Sequence, residues 1–197
     1  SRKKNVKPTD ILKQEHRAIE QMLAVLGKIC DMLDRGERVN PEHLDLAIAF
    51  IREFADRCHH AKEEKLLFPA MESAGIPRDG GPIGVMLSEH DEGRQFVRGM
   101  ASASAGYRNG NTNATASFTA NARNFIALLR EHILKEDDIL FMMADTHLTP
   151  EKQADLASEF DRIEREEIGV GKHEEFHRIL NTMKNIYLPL DSTQTRL

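Results

Sequence analysis

Apolar side chains recur at three- and four-residue steps along most of the chain, which is the spacing of an amphipathic α-helix. The first such stripe comprises Ile11, Ile19, Met22, Leu23, Leu26, Ile29 and Met32. Thr9 or Asp10 is predicted to cap the start of this helix, and Gly36 to end it. No segment of four to eight residues shows the alternation of a strand. The pattern therefore predicts an all-α protein.

Three further helices of similar length are predicted after the first. They cover about residues 40–71, 83–106 and 114–144, separated by turns rich in glycine, proline or asparagine. Four helices of roughly 25–30 residues joined by short loops pack antiparallel with their neighbours. The predicted fold is an up-down-up-down four-helix bundle.

The last quarter of the chain is predicted to be a helical appendage. A shorter helix begins at Thr149-Pro150, and an amphipathic helix spans about residues 173–187. Residues 1–147 are accordingly assigned to the bundle and residues 148–197 to an extension packed on it. The final segment, Asp191 to Leu197, is predicted to be frayed.

Composition excludes several classes of protein. Hydrophobic residues make up 40% of the 197 residues and charged residues 30%, with a formal charge of −5, so neither nucleic acid nor a membrane is expected as a partner. No run of eighteen apolar residues is present, and none follows Ser1–Asn5, so neither a membrane span nor a secretory signal is expected. With only Cys30 and Cys58, a disulfide framework is not expected. These features predict a cytoplasmic protein.

An internal repeat places the histidines. The second helix carries His59, Lys62, Glu63 and Phe68, and the fourth carries His132, Lys135, Glu136 and Phe141 at the same offsets. The first and third helices each carry a Glu-His pair, ending at His16 and His90. His16 precedes His59 by 43 residues, and His90 precedes His132 by 42. Two helical hairpins therefore present the same side chains, as a pseudo-twofold arrangement would.

The repeated side chains are expected to meet at one depth of the bundle. His16 and His90 lie roughly 9–12 Å from the starts of their helices, and Glu63 and Glu136 lie roughly 13 Å from the ends of theirs. In an antiparallel bundle those starts and ends are level with each other. His and Glu at positions i and i+4 also share a helix face. The candidate metal ligands are His16, His59, Glu63, His90, His132 and Glu136.

Four imidazoles and two carboxylates buried together would be very costly without a metal. This number of ligands suits a dinuclear site, in which carboxylates bridge and imidazoles terminate, and it exceeds the needs of one tetrahedral zinc. Imidazole and carboxylate ligands favour iron, manganese or zinc. Of these, two iron ions are our first assignment.

Four segments carrying these residues resemble the hemerythrin-like (HHE cation-binding) family, over about residues 9 to 145. The segments are Glu15-His16, His59 to Pro69, Ser88 to Glu92 and Glu131 to Glu136. The resemblance implies a four-helix bundle with a non-heme di-iron centre. It also implies that Glu63 and Glu136 bridge the irons and that the four histidines are terminal ligands.

The chain departs from the oxygen-carrying members of that family. Those members have a second histidine four residues after the one on the third helix, where this chain has Arg94. They also have an aspartate five residues after the histidine of the fourth helix, where this chain has Glu136 four residues on. A set of four histidines and two glutamates is more similar to the branch with iron–sulfur-cluster repair proteins and iron-sensing domains.

Spacing also bears on the polar residues next to the candidate ligands. Successive helical residues are about 100° apart, so His60 is not expected to face the same cavity as His59 and is placed at the rim or behind the ligands. Glu15, Glu89 and Glu131 could each orient an imidazole, but solvent-exposed helix surface is the more common role for such residues. Phenylalanines, namely Phe54, Phe68 and Phe141, are expected to wall the site.

Three other motifs have more than one interpretation. The spacing of a zinc protease motif occurs in His173-Glu174-Glu175-Phe176-His177. Such a site also needs a third ligand and a substrate cleft, and nothing nearby in the sequence supplies them. We therefore favour an amphipathic helix packed beside the bundle. A ferritin-like site needs two Glu-x-x-His pairs, and only Glu174 to His177 fits, so it is excluded. Cys58 could be a redox thiol, but a buried cysteine is more often a small apolar residue.

Three functions remain open for such a centre, and the electron donor is not identified by any of them. The first is reversible binding or sensing of O₂ without turnover. The second, which the missing fifth histidine favours, is redox chemistry on O₂, peroxide or nitric oxide, or iron delivery for repair, in oxidative or nitrosative stress. The third is binding or storage of iron. The expected partner is a small diatomic or peroxide ligand, and no separate catalytic residue is predicted.

Overall fold

The computed structural model of the chain describes residues 6–190; the predicted frayed end and Ser1–Asn5 lie outside this range. Helices joined by short turns make up the described residues, and no strand occurs among them. The all-α prediction is confirmed. In the same range, no helix is both long enough and apolar enough to cross a bilayer.

Eight α-helical and four π-helical segments follow one another along the described chain. They are α1 (Pro8–Asp34), α2 (Pro41–Phe50), π1 (Ile51–His60), π2 (Glu63–Leu67), α3 (Phe68–Ser73), α4 (Pro82–Arg108), α5 (Ala114–Lys135), π3 (Glu136–Leu140), α6 (Phe141–His147), α7 (Pro150–Ile163), π4 (Glu164–Ile168) and α8 (Lys172–Tyr187). Residues 41–73 form one continuous helix, and so do residues 114–147. The four long helices are therefore α1, the 41–73 helix, α4 and the 114–147 helix.

The first helix starts two residues earlier than its sequence predicts. Lys7 is the cap residue and Pro8 is the first helical residue, so the assignment of Thr9 or Asp10 as the cap is wrong. Proline is favoured at this position because its fixed φ suits a helix and its missing N–H has no partner to lose. Asp10 instead accepts a hydrogen bond from the Lys7 backbone N–H at 3.4 Å. Gly36 ends the helix as predicted, with φ of 74°.

The second and fourth long helices change from α to π geometry where they carry the repeated motif. Segments π1 and π2 flank Ala61-Lys62, and π3 begins at Glu136. A π-helix closes its hydrogen bonds at i→i+5, so each residue turns the chain by less than in an α-helix, and such segments are frequent at functional sites. The side chains of these segments are therefore displaced from the faces that α-helical spacing predicts.

The four long helices pack as a ring around one core. Helix α1 contacts α5 and π1, and α4 contacts α5 and α2. The appendage covers one side of this ring, because α7 contacts α1 and π2 while α8 contacts α1 and α2. The inward side chains of α8 are Phe176, Leu180, Met183 and Tyr187. The helix is thus amphipathic and packed beside the bundle.

A layer of polar side chains divides the buried core in two. On α1, Leu12 belongs to one apolar cluster and Ala18 and later residues to the other, with Glu15 and His16 between them. On the 114–147 helix, Ile133 belongs to one cluster and Leu140 to the other, and Glu136 lies between them. The polar layer therefore crosses the bundle at one depth.

Candidate metal centre

All six predicted ligands lie in the polar layer and are buried. Their exposed fractions are 1% for His16, 1% for His59, 0% for Glu63, 2% for His90, 1% for His132 and 0% for Glu136. The structure thus brings together every residue that the repeat selects. The assignment of these residues as ligands remains a prediction.

Each carboxylate faces one histidine from each hairpin. Glu63 Oε1 lies 3.2 Å from His59 Nε2, and Glu63 Oε2 lies 3.3 Å from His90 Nε2. Glu136 Oε2 lies 3.0 Å from His16 Nε2, and Glu136 Oε1 lies 3.1 Å from His132 Nε2. The two oxygens of each carboxylate are therefore directed to opposite sides of the layer. This is the arrangement that a pair of bridging carboxylates requires.

The imidazoles form two groups that match the two sides. The rings of His16 and His59 have centroids 4.6 Å apart, and those of His90 and His132 have centroids 4.8 Å apart. The ligand atoms of His16, His59, Glu63 and Glu136 lie within 4.8 Å of one another, and so do those of His60, Glu63, His90 and His132. Two cations could thus each take nitrogen ligands from one group while sharing the carboxylates.

The polar atoms facing this space suit metal ions. Among the described residues, seven buried side-chain nitrogen or oxygen atoms have no hydrogen-bond partner, and six belong to this layer. They are His16 Nε2, His59 Nε2 and the four carboxylate oxygens of Glu63 and Glu136. Buried polar atoms without partners cost free energy, and that cost is removed when a shared cation lies between them. The residues present therefore fit a metal centre.

Two further carboxylates orient the histidines of the second and fourth long helices. His59 Nδ1 lies 3.1 Å from Glu15 Oε1, and Lys62 Nζ donates to Glu15 Oε2 at 2.7 Å. The second hairpin repeats this arrangement, with His132 Nδ1 at 2.7 Å from Glu89 Oε2 and Lys135 Nζ donating to the same carboxylate. The expectation that Glu15 and Glu89 are solvent-exposed surface residues is wrong. Glu131 is exposed, as expected.

The remaining two ligand histidines are oriented by the residues that follow the central carboxylates. His16 Nδ1 lies 2.7 Å from Asp137 Oδ1, and His90 Nδ1 lies 2.7 Å from Glu64 Oε1. An Nδ1–H held by a carboxylate leaves the Nε2 lone pair free to face a metal. Spacing does not predict this role for Asp137 or Glu64, although each directly follows the glutamate of its motif.

His60 also reaches the layer, and the expectation that it cannot share a cavity with His59 is wrong. It is 6% exposed, and its ring stacks on that of His90 with centroids 3.8 Å apart. His60 Nδ1 lies 3.2 Å from Asp56 Oδ1, in the same kind of contact that the other four make. Segment π1 ends at His60, and the reduced turn per residue lets both adjacent imidazoles reach the layer, with His59 in the group of His16 and His60 in the group of His90.

Arg94 supports two of these contacts from the third long helix. Its guanidinium donates to Asp56 at 2.8–3.1 Å and to Glu64 at 2.7 Å. These carboxylates face His60 and His90 respectively. Arg94 occupies the position of the fifth histidine in oxygen carriers. It therefore helps to position the imidazoles of His60 and His90 through its contacts with Asp56 and Glu64.

Protonation in the layer follows the contacts. Burial alone would lower the pKa of His59, but Glu63 and Glu15 raise it to about 10. His132 has its pKa raised to about 10 by Glu136 and Glu89 against the same effect of burial. The pKa of His60 is lowered to about 3 by burial and by His90, so this imidazole is neutral. In the metal-free protein, protons on His59 and His132 can therefore balance the negative charge of the carboxylates.

Two of the three predicted phenylalanines wall the layer. Phe141 stacks on His16 with centroids 5.4 Å apart, and Phe68 stacks on His90 at 6.1 Å. Phe54 instead contacts His173 and His177 in the appendage, at 5.8 and 6.1 Å.

The structure argues against a redox role for Cys58. Its side chain is 1% exposed, and burial raises the pKa of its thiol. A reactive thiolate needs an exposed, electropositive setting. Cys58 therefore acts as a small buried side chain.

Comparison with known proteins identifies a family over most of the chain. The sequence profile described as "Hemerythrin HHE cation binding domain" matches residues 7–144. No solved structure matches the chain.

Individual relatives are distant. Uncharacterized proteins of Mycobacterium bovis and Mycobacterium tuberculosis are each 24% identical over 170 residues, which cover 82% of this chain and 62% of theirs. The iron-sulfur cluster repair protein YtfE of Dickeya chrysanthemi is 36% identical over 89 residues, covering 44% of this chain and 40% of that protein. The chain thus spans less than two thirds of the length of each of these relatives.

Proposed function

The chain belongs to the hemerythrin HHE cation-binding domain family, and on that premise we propose that its polar layer holds two iron ions. His16 and His59 would hold one ion, His90 and His132 would hold the other, and Glu63 and Glu136 would contribute to both. The observation that carries this assignment is the direction of the carboxylates, because each places one oxygen beside each hairpin's histidines.

The donor set supports iron. Imidazole and carboxylate ligands without a thiolate suit iron better than copper(I). The name of the Dickeya chrysanthemi relative also associates that protein with iron–sulfur clusters. Metal analysis tests the assignment, since two irons per chain are expected, and two zinc ions in protein from iron-replete cells would contradict it.

The proposed role is redox chemistry on O₂, peroxide or nitric oxide in oxidative or nitrosative stress. A pair of reduced irons supplies electrons and open coordination positions to such a ligand. The protein's own residues exclude bulk water from this position, because Phe68 and Phe141 stack on ligand imidazoles and all six ligands are at most 2% exposed. The orienting carboxylates hold the imidazoles in place.

Rapid mixing of the reduced, iron-loaded protein with each ligand distinguishes the candidate functions. The proposal predicts loss of peroxide or nitric oxide over many turnovers per centre, with an electron donor supplied. A stable oxygenated spectrum that disappears under argon would instead support reversible O₂ binding or sensing. Iron release without consumption of any ligand would support storage. Either of these latter results would overturn the proposed role.

We propose that the two metal positions differ in their number of protein ligands. His60 is the fifth histidine of the centre, and it lies at only one of the two positions. Its ligand atom lies within 4.8 Å of those of Glu63, His90 and His132, and not in the group with His16. The position beside His16 and His59 would therefore have fewer protein ligands.

Replacing His60 by alanine is expected to make the two iron environments more alike. In the unaltered protein, Mössbauer spectra should resolve two different irons, and the H60A variant should lose that difference while retaining iron. His43→Ala is the control, since His43 lies on the same long helix and contacts Tyr187 outside the centre. Equal irons in the unaltered protein, or an unchanged spectrum in H60A, would show that His60 is not a ligand.

A small cavity gives ligands a route to the centre. Its volume is about 160 Å³, with His60 and His90 at its buried end and Arg52 and Arg98 at its exposed rim. The walls between are mainly apolar, comprising Ile51, Ala55, Val97 and Phe125. A cavity of this size has room for a diatomic molecule or peroxide.

Val97→Phe is expected to slow the association of nitric oxide with the reduced protein by about tenfold, which is about 1.4 kcal/mol of barrier. The larger ring fills the cavity, and iron content should stay unchanged. Val85→Phe is the control, because Val85 lies on the same helix and is 48% exposed. Stopped-flow association rates provide the measurement. Equal rates in V97F and the unaltered protein would mean that ligands enter elsewhere.

A further inference from the structure

A second pair of converging imidazoles lies in the appendage, away from the proposed di-iron centre. His173 and His177 occupy positions i and i+4 at the start of α8, and their Nε2 atoms are 2.9 Å apart. The rings have centroids 4.6 Å apart and an interplanar angle of 54°. In the buried pair, His90 and His132, the corresponding values are 3.1 Å, 4.8 Å and 57°. The surface pair thus has the geometry of two proposed metal ligands.

The outer nitrogen of His173, like the Nδ1 atoms of the buried histidines, lies beside a carboxylate, but no hydrogen bond joins the two. His173 Nδ1 lies 3.3 Å from Glu164 Oε1, and it is the seventh buried polar atom without a hydrogen-bond partner. A cation on Nε2 places the ring proton on Nδ1, where it faces that carboxylate. Metal-bound histidines in proteins usually have such a partner at the other ring nitrogen.

The cavity beside this pair favours a cation. It has a volume of about 270 Å³, and its charged lining comprises Glu15, Lys62, Asp161 and Glu164. The carboxylates of Glu15, Asp161 and Glu164 therefore outnumber the single ammonium group, that of Lys62. The group formed by Glu15, Cys58 and Glu164 is not itself available to a metal, because Lys62 Nζ already donates to both carboxylates at 2.7 Å. The imidazole nitrogens that line the cavity are those of His173 and His177, whose Nε2 atoms hydrogen-bond to each other.

The pair is held in place by packing. Phe54 is 1% exposed and lies edge-on to both imidazoles, and Phe176 between them is buried. His177 remains exposed, so the open side of the pair is accessible from solvent.

We propose that His173 and His177 form a separate mononuclear site for a late first-row divalent cation such as Zn²⁺. Both Nε2 atoms bind the ion, Glu164 orients His173, and water completes the coordination. Imidazole ligands suit zinc and its neighbours in the series, and two protein ligands leave the ion exchangeable. The two histidines thus have the spacing of a zinc protease motif but form a binding site rather than a protease site. Glu174 is exposed, and among the described residues no third protein ligand joins the pair.

Equilibrium dialysis of the iron-loaded protein against Zn²⁺ tests the site. The unaltered protein is expected to bind one zinc per chain while retaining its iron, which is quantified in the same sample. H173A and H177A should lose this zinc. Glu164→Gln should weaken zinc binding by about 10–100-fold. His147→Ala is the control, because His147 is an exposed histidine whose Nδ1 contacts the carbonyl of Met143 on its own helix.

A measurement on the unaltered protein guards against misfolded variants. Zn²⁺ should protect His173 and His177 from modification by diethylpyrocarbonate, as read by mass spectrometry, and should leave His147 reactive. Absence of any zinc beyond the metal centre, or equal zinc in H177A and the unaltered protein, would overturn the proposal. Because iron is measured separately, neither result bears on the proposed di-iron function.

Discussion

Replacing Glu136 by alanine is expected to remove most of the bound metal and to destabilise the protein by about 3–5 kcal/mol. For a chain of this length, that corresponds to a decrease in Tm of roughly 6–20 °C. The reason is that Glu136 faces His16 with one oxygen and His132 with the other, so its loss affects both metal positions. It also leaves His16 and His132 buried without that partner. Metal analysis and thermal unfolding of the same preparation measure the two effects together.

The control for this variant is Asp138→Ala, two residues further along the same helix. Asp138 is exposed, so its replacement should change neither metal content nor Tm beyond experimental error. Metal content in E136A equal to that of D138A would contradict the assignment of Glu136 as a ligand. A loss of stability with full metal content would assign Glu136 a structural role only.

Removing the metals with a chelator is expected to lower Tm, and to lower it more as the pH increases. In the metal-free protein, protons on His59 and His132 balance the carboxylates. Their pKa values are raised from 6.5 to about 10, so this stabilisation is complete below about pH 6.5 and is lost as the pH rises through 10. Bound metals displace these protons, so the loaded protein does not share this loss.

Unfolding the loaded and metal-free proteins side by side between pH 6 and pH 9 measures this effect. The difference in Tm between them should increase over that range. Hydrogen exchange should rise first in the π-helical segments that carry ligands, π1, π2 and π3, because their backbone geometry depends on the centre. A difference in Tm that is constant or decreases with pH would show that these histidines do not hold the compensating protons.

The repeated motif was sufficient to predict the members of the centre. His59 and Glu63, like His132 and Glu136, are four residues apart, and that spacing fixes a shared face whatever the partner helix is. The short turns after the first and third helices then require antiparallel hairpins. Depth along each helix follows from counting residues, so the single histidines, His16 and His90, could be placed at the same level.

His60 shows where that reasoning fails. An angle of 100° per residue separates it from His59, but the chain is π-helical from Ile51 to His60 and brings both imidazoles to the layer. Amino-acid type carries no clear signal for this change of geometry.

The carboxylates that orient the imidazoles also could not be predicted from the sequence. Glu15 and Glu89 have the composition and local spacing of ordinary surface residues, and only the facing helix shows that they contact His59 and His132. Arg94 could be recognised as a departure from oxygen carriers. Its contacts with Asp56 and Glu64 could not.

The amino-acid sequence by itself determined the all-α bundle, the depth of the polar layer and the six residues predicted to bind metal. Each of these depends on periodicity within one helix or on the length of the loop that follows it. The tertiary structure alone decided which carboxylate oxygen faces which histidine, how His60 joins the layer, and where His173 and His177 lie. Those relations depend on the rotation of one helix against another, which side-chain packing sets and residue spacing does not encode.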